Sequence, residues 1–267
     1  MKITSLSRRT DLIFAKFGGE VTNKGDYTLV QTPANPGYHW GNYIIFDSPP
    51  DKGDYQRWRD IFKKEFNYYE KICHMAFTWE SFPPRRGEYQ EFTDNSFEFG
   101  EAIVLSASKL TTPTKYNNKM EVKKVITENQ WEEAVHNQLL CSDSKFAEAG
   151  YESFKRKQMA QYRAMSEKGM GNWFGAYIGG QMVADLGIFF EDELARYQSV
   201  GTDPNFRRQG LCQTLVYETA KIALKEYGVS TLVMEADANY HAAKIYESIG
   251  FKPTEKNFSL SWWTSHD

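Results

Sequence analysis

Apolar and polar positions alternate along this chain with two periods, which divide it into strands and helices. Tyr27–Gln31 and Tyr43–Phe46 read as strands, Asp47-Ser48-Pro49-Pro50 interrupts them, and Trp58, Ile61, Phe62, Phe66 and Tyr69 recur at helical spacing. Residues 75–79 and 102–105 again read as strands. The chain then turns polar between Thr111 and Asn118, with Pro113 and Asn117-Asn118, which is the best boundary on offer. The expected organisation is an N-terminal α/β domain over residues 1–116 and a second domain over 117–267.

The second half begins with a strand over 122–126. Thr127-Glu128-Asn129-Gln130 forms a capping box for a helix whose apolar face is Trp131, Ala134, Val135 and Leu139. Another helix is predicted over 151–166. A hairpin follows, with strands over 173–178 and 181–189 turning at Gly179-Gly180. A strand over 195–200 leads into Phe206-Arg207-Arg208-Gln209-Gly210-Leu211-Cys212, and an amphipathic helix begins near Leu211.

That loop carries the most chemistry. A turn opening into a helix leaves its first N–H groups without carbonyl partners, and these donors with the helix dipole make a socket for a pyrophosphate. Gly210 is expected where backbone approaches phosphate closely. No Gly-Lys-Ser/Thr follows, so this is no P-loop, and the three glycines of G-x-G-x-x-G are missing.

Downstream, residues 230–236 read as a strand, Asn239 as the N-cap of a helix over 240–249, and Gly250 as its close. The loop pattern Arg-x-x-Gly-x-(small) and the spacing Asn239-x-x-Ala242-Ala243-x-x-Tyr246-x-x-x-Gly250-Phe251 together resemble the GNAT superfamily of N-acetyltransferases, from about Glu121 to the C-terminus. Cys212 stands where the family usually has Gly or Ala. The resemblance implies a GNAT fold, an α/β (α+β) architecture with a mixed central sheet flanked by helices, beside a smaller N-terminal α/β domain. That first half is either a degenerate GNAT-like copy or an unrelated α+β cap.

The resemblance also implies acetyl-CoA as cosubstrate. Ser199, Val200 and Gly201 would face its pantetheine arm, and the N–H groups of Arg207, Arg208, Gln209, Gly210, Leu211 and Cys212 its diphosphate, with Asn239 as a further coenzyme contact. Tyr246 would donate a proton to the departing thiolate, although an aromatic on that helix face also suits a core. The place where the family often carries a glutamate base is held by Arg196, which cannot act as a base. Asp185, Glu191, Glu193 and Glu235 are the candidate carboxylates, each expected to be a surface charge. The segment Pro36-Gly37-Tyr38-His39-Trp40-Gly41-Asn42-Tyr43 reads either as lining for an acceptor site or as a loop anchored by its aromatics.

Composition narrows the classes that remain. With 41% apolar and 15% aromatic residues, 267 residues build a packed core. No run reaches the roughly 18 apolar residues of a membrane span, and the start lacks the apolar stretch of a secretory signal, so a cytoplasmic protein is expected without membrane partners. A net charge of -3 gives no reason to expect nucleic acid. Three scattered cysteines argue against a disulfide scaffold, and the five histidines show no metal-ligand spacing, so no metal is expected. The expected reaction is acetyl transfer from acetyl-CoA to a primary amine of a small molecule, an amino acid or a protein. A non-catalytic acyl-CoA sensor is the alternative, and aminoacyl or other acyl transfer a third. Neither the acceptor nor the oligomeric state, a homodimer among the options, can be read from these residues.

Overall fold

The computed structural model describes residues 2–67, 73–142, 150–237 and 242–263. In chain order its elements are α1 (Leu6–Gly18), β1 (Glu20–Asn23), β2 (Tyr27–Gln31), β3 (Tyr43–Phe46), α2 (Asp54–Phe66), β4 (His74–Trp79), α3 (Gln90–Asp94), β5 (Glu98–Ala107), β6 (Glu121–Lys124), α4 (Glu128–Leu140), α5 (Tyr151–Glu167), β7 (Gly171–Ile178), β8 (Gln181–Glu191), β9 (Leu194–Thr202), α6 (Leu211–Glu226), β10 (Thr231–Asp237), α7 (Ala242–Glu247) and β11 (Lys252–Trp263). They form two compact units. Unit 1 comprises Met1–Val104, Asp237–Asn239 and Thr254–Asp267; unit 2 comprises Leu105–Ala236 and Tyr240–Pro253. The division thus falls at Val104/Leu105, ahead of the polar stretch at 111–118, and the last strand returns to unit 1.

Unit 1 orders its strands β1-β2-β3-β4-β11-β5, with β1–β2, β2–β3 and β4–β11 antiparallel and β3–β4 parallel. Tyr43-Ile44-Ile45-Phe46 is buried throughout because helices cover both faces. Ile44 and Phe46 join Trp58, Phe62 and Phe66 of α2 in one cluster, while Tyr43 and Ile45 meet Leu12 and Ala15 of α1. The aromatic segment around Trp40 is closed by Asn42, which is fully buried. Its Nδ2 donates to the carbonyls of Asn35, at 3.0 Å, and Tyr38, at 3.0 Å, and its Oδ1 accepts from Thr32 N–H at 2.9 Å. Asn42 thus holds this loop together with Tyr43, which is anchored in the core, while Trp40 is exposed.

Unit 2 orders its strands β10-β9-β8-β7-β6, with β10–β9 parallel and the rest antiparallel. The capping box is in place: Thr127 Oγ1 accepts from Gln130 N–H, and Gln130 Oε1 accepts from Thr127 N–H. The β7–β8 turn uses Gly179 and Gly180 at φ +57° and +86°, the left-handed geometry a two-residue hairpin needs. Helices α4 and α5 lie on β7 and β8, and α6 lies on β8 and β9.

Candidate functional site

Two irregularities in unit 2 fall on the predicted residues. The first is a bulge in β9. Gln198 pairs with Gly187 and Gly201 with Asp185, so Ser199 and Val200 stand opposite the single residue Leu186. Ser199 adopts φ +49°, a left-handed conformation that a non-glycine residue reaches only when held there. On the other side of β9, pairing with β10 runs only from Thr231↔Leu194 to Val233↔Arg196. Beyond that point the strands share no register, which leaves Ser199, Val200 and Gly201 unpaired on this side among the described residues.

The second irregularity is the turn between β9 and α6. Asp203 caps a short 3-10 turn at Pro204–Phe206 through Asn205 N–H, at 2.8 Å. Arg208 at φ +65° and Gly210 at φ +79° then swing the chain into α6. Helix α6 makes its first intrahelical bond from Thr214 N–H to Gly210 O, at 3.1 Å, so the N–H groups of Gly210, Leu211 and Cys212 have no carbonyl partner within the helix. Such donors at the positive end of a 16-residue helix suit an anion. Arg207 and Arg208 are exposed beside it, and Arg207 Nε lies 3.3 Å from the Thr202 carbonyl. Burial pushes the Cys212 thiol up to about 12, so it serves as a small neutral side chain. Tyr197 O–H donates to the Val216 carbonyl at 2.8 Å and ties the helix to the strand.

Gly210 has a reason beside the expected one. A Cβ there would lie 2.0 Å from the carbonyl oxygen of Lys115, so it is the protein's own backbone that demands glycine at this point, together with the positive φ. Gly250 at φ +107° is pressed in the same way, with Lys109 O 2.8 Å from its would-be Cβ. Residues 109–117, most of the polar stretch Thr111–Asn118 that reads as a domain boundary, are a strap across both motif glycines. Asn117 N–H donates to Thr214 Oγ1 at 2.9 Å, Asn117 Nδ2 to Gln209 O at 3.0 Å, and Gln213 Nε2 to Lys115 O at 2.9 Å. These contacts engage carbonyls and side chains of the loop and of α6.

Tyr246 lies on α7, buried, its ring 6.4 Å from Phe251. Asn239 lies outside the described residues. Arg196 is buried and its Nη2 pairs with Glu235 Oε2 at 3.2 Å, at the point where β9 and β10 part. Glu193 is exposed as expected.

Asp185 was expected on the surface, and the structure overturns this: it is completely buried. Its Oδ1 accepts from Asn137 Nδ2 and Gln138 Nε2, each at 2.7 Å, and its Oδ2 from Trp173 Nε1 at 2.8 Å. Desolvation pushes its carboxyl up to about 7 against the pull of these donors and of Lys155. Lys155, also buried, is pushed down to about 8 for the same reason, and its Nζ donates to Gln158 Oε1 at 2.8 Å. The signal in the sequence is one charge inside the apolar run from Met182 to Phe189.

Residues 133–251 match the model of the acetyltransferase (GNAT) family. The chain therefore carries a GNAT domain, of the class whose general activity is acyl-CoA-dependent acetyl transfer. A search of curated protein sequences finds no match. Among solved structures, a functionally unknown conserved protein from Staphylococcus epidermidis is similar at 14% identity and TM-score 0.77, over 93% of this chain and 95% of the other. A GCN5-related N-acetyltransferase from Kribbella flavida is similar at 13% identity and TM-score 0.68, over 100% and 98%. A tandem GNAT protein of the clavulanic acid biosynthesis pathway is similar at 12% identity and TM-score 0.52, over 84% and 76%. The likeness runs through the N-terminal half, whose fold is GNAT-like as well.

Proposed function

We propose that unit 2 binds acetyl-CoA and transfers its acetyl group to a primary amine of a small molecule, an amino acid or a protein. The observation that carries this reading is the first turn of α6, whose N–H groups have no carbonyl partner within the helix, inside a GNAT domain and following a strand that parts from its neighbour. The diphosphate takes these donors and the pantetheine arm runs along Ser199, Val200 and Gly201. Asn239 adds a coenzyme contact.

In the transfer step the amine nitrogen forms a bond to the thioester carbonyl carbon, and the C–S bond breaks as the tetrahedral oxyanion collapses. Tyr246 O–H gives its proton to the leaving sulfur, and the new ammonium loses one proton on its way to an amide. Asp185 has no access to an acceptor, and Glu235 is engaged by Arg196, so the amine arrives neutral or is deprotonated through water. That engagement favours a second reading, a coenzyme-binding sensor without turnover.

Calorimetry with acetyl-CoA tests the site, and mass spectrometry of the protein incubated with acetyl-CoA and a panel of amines tests the reaction. The reading predicts saturable binding and acetylated product. Absence of binding at millimolar coenzyme refutes it, and binding without any product selects the sensor.

A further inference from the structure

The bulge in β9 needs something to hold it. Ser199 sits at φ +49°, and Ser199 and Val200 have no register partner on β8 or β10 among the described residues. A segment so placed relaxes into an ordinary strand unless its backbone groups are fixed from outside the ladder.

The fixing group is Gln138 of α4. Its Nε2 lies 2.7 Å from the Ser199 carbonyl and 2.7 Å from Asp185 Oδ1, so one amide bridges the bulge to a buried carboxylate. Asp185 in turn is gripped by Asn137 and Trp173. Gly201, the next residue along β9, leaves the space this arrangement requires: a Cβ there would stand 3.1 Å from Asp185 Oδ1, from Gln138 Nε2 and from Cys141 Sγ. Asn137 Oδ1 is buried without a hydrogen-bond partner. Four elements thus converge beneath one distorted peptide, burying a carboxylate and an unpaired acceptor. Apolar side chains of similar volume would pack that position with less desolvation, so stability alone does not account for the network.

We infer that Gln138, aimed by Asp185 and Asn137, is a positioning residue for the coenzyme: by holding the Ser199 carbonyl it fixes the bulged edge of β9 in the orientation that receives the pantetheine arm. The inference rests on the acetyl-CoA reading. Gln138 touches no reacting atom; it acts through the backbone of Ser199 and Val200.

The experiment compares two ligands by calorimetry. Coenzyme A carries the pantetheine arm, and adenosine 3′,5′-bisphosphate carries only the nucleotide end. In Gln138→Met, coenzyme A affinity is expected to fall at least tenfold while bisphosphate affinity stays within twofold of wild type. Glycine adopts left-handed backbone without strain, so adding Ser199→Gly to Gln138→Met is expected to restore part of the lost affinity. If Gln138→Met folds poorly, Gln138→Asn serves: it keeps an amide but withdraws it by one methylene from the Ser199 carbonyl, and the same split between the two ligands is expected.

An unchanged ratio of the two affinities in Gln138→Met overturns the inference, as does an equal loss for both ligands, which marks a general structural role. An unchanged ratio in Gln138→Asn also overturns it. Wild-type protein that binds neither ligand refutes the coenzyme site itself, a different failure from wild type binding both and the variant binding both equally well.

Discussion

Both units are built on mixed sheets covered by helices, yet they bury different things. Unit 1 fills its core with aromatic rings: Phe46 stacks on Trp58 at a centroid distance of 3.8 Å, and Phe62, Phe77 and Phe92 surround them. Its strand pairs β1–β2, β2–β3, β3–β4 and β4–β11 run without a register shift. Unit 2 buries Asp185, Lys155, Asn137, Gln138 and Arg196, and its sheet is bulged at Ser199 and opened beyond Val233. Regular ladders and ring packing leave few backbone groups free for a ligand. A site requires broken pairing, and broken pairing needs buried polar groups to hold it.

Four changes test that contrast. The largest effect is expected from Trp58→Ala, which opens a ring-sized void in the aromatic core and should remove about 3–5 kcal/mol of stability, measured by equilibrium denaturation. Should unit 1 tolerate this substitution with little loss, its core does not rest on ring packing. Tyr246→Phe is the counterpart in unit 2. Turnover should drop roughly 100- to 10,000-fold with coenzyme affinity within about twofold, and unaltered turnover would leave Tyr246 as a core residue.

Glycines give the third comparison. Gly53 of unit 1 and Gly210 of unit 2 have φ +90° and +79°, but a Cβ at Gly53 meets nothing within 4 Å whereas one at Gly210 meets the Lys115 carbonyl at 2.0 Å. Gly53→Ala should therefore cost about 1 kcal/mol and Gly210→Ala about 2–4 kcal/mol. Equal losses would mean that the strap yields.

The fourth concerns acid. His74 of unit 1 is buried, its Nε2 3.0 Å from the Asn42 carbonyl oxygen and its ring 4.3 Å from that of His39. Desolvation first, and then the neighbouring His39, lower its pKa from 6.5 to about 4. A base whose folded pKa is depressed adds stability that is intact above 6.5 and lost as the pH falls through 4. That loss is at most about 3 kcal/mol. Denaturation of wild type and His74→Gln between pH 7 and pH 4 should show the variant with the flatter acid limb, and parallel limbs would remove His74 from the account.

Much of this was legible without coordinates where local chemistry suffices. Strands Tyr27–Gln31 and Tyr43–Phe46 stand where their alternation placed them, the capping box opens α4, and Gly179-Gly180 turns the hairpin. Helix α1 was not foreseen, because the face it buries includes Ser7, Arg8 and Thr10, which blur the apolar period. The polar stretch at 111–118 read as a domain boundary because its hydrogen bonds reach Thr214 and Gln209, about a hundred positions away, and no local pattern encodes such partners.

Spacing and turn chemistry along the chain were enough to mark the loop from Phe206 to Cys212, its helix and the Tyr246 pattern, since each rests on neighbours a few residues apart. Only the folded chain decided that Gly210 makes room for Lys115, that Asp185 is interior, and that Gln138 supports the bulge at Ser199. Those facts arise from atoms 47 and 61 residues apart brought within 2.7 Å, and burial and distance are properties of packing that no single stretch of chain possesses.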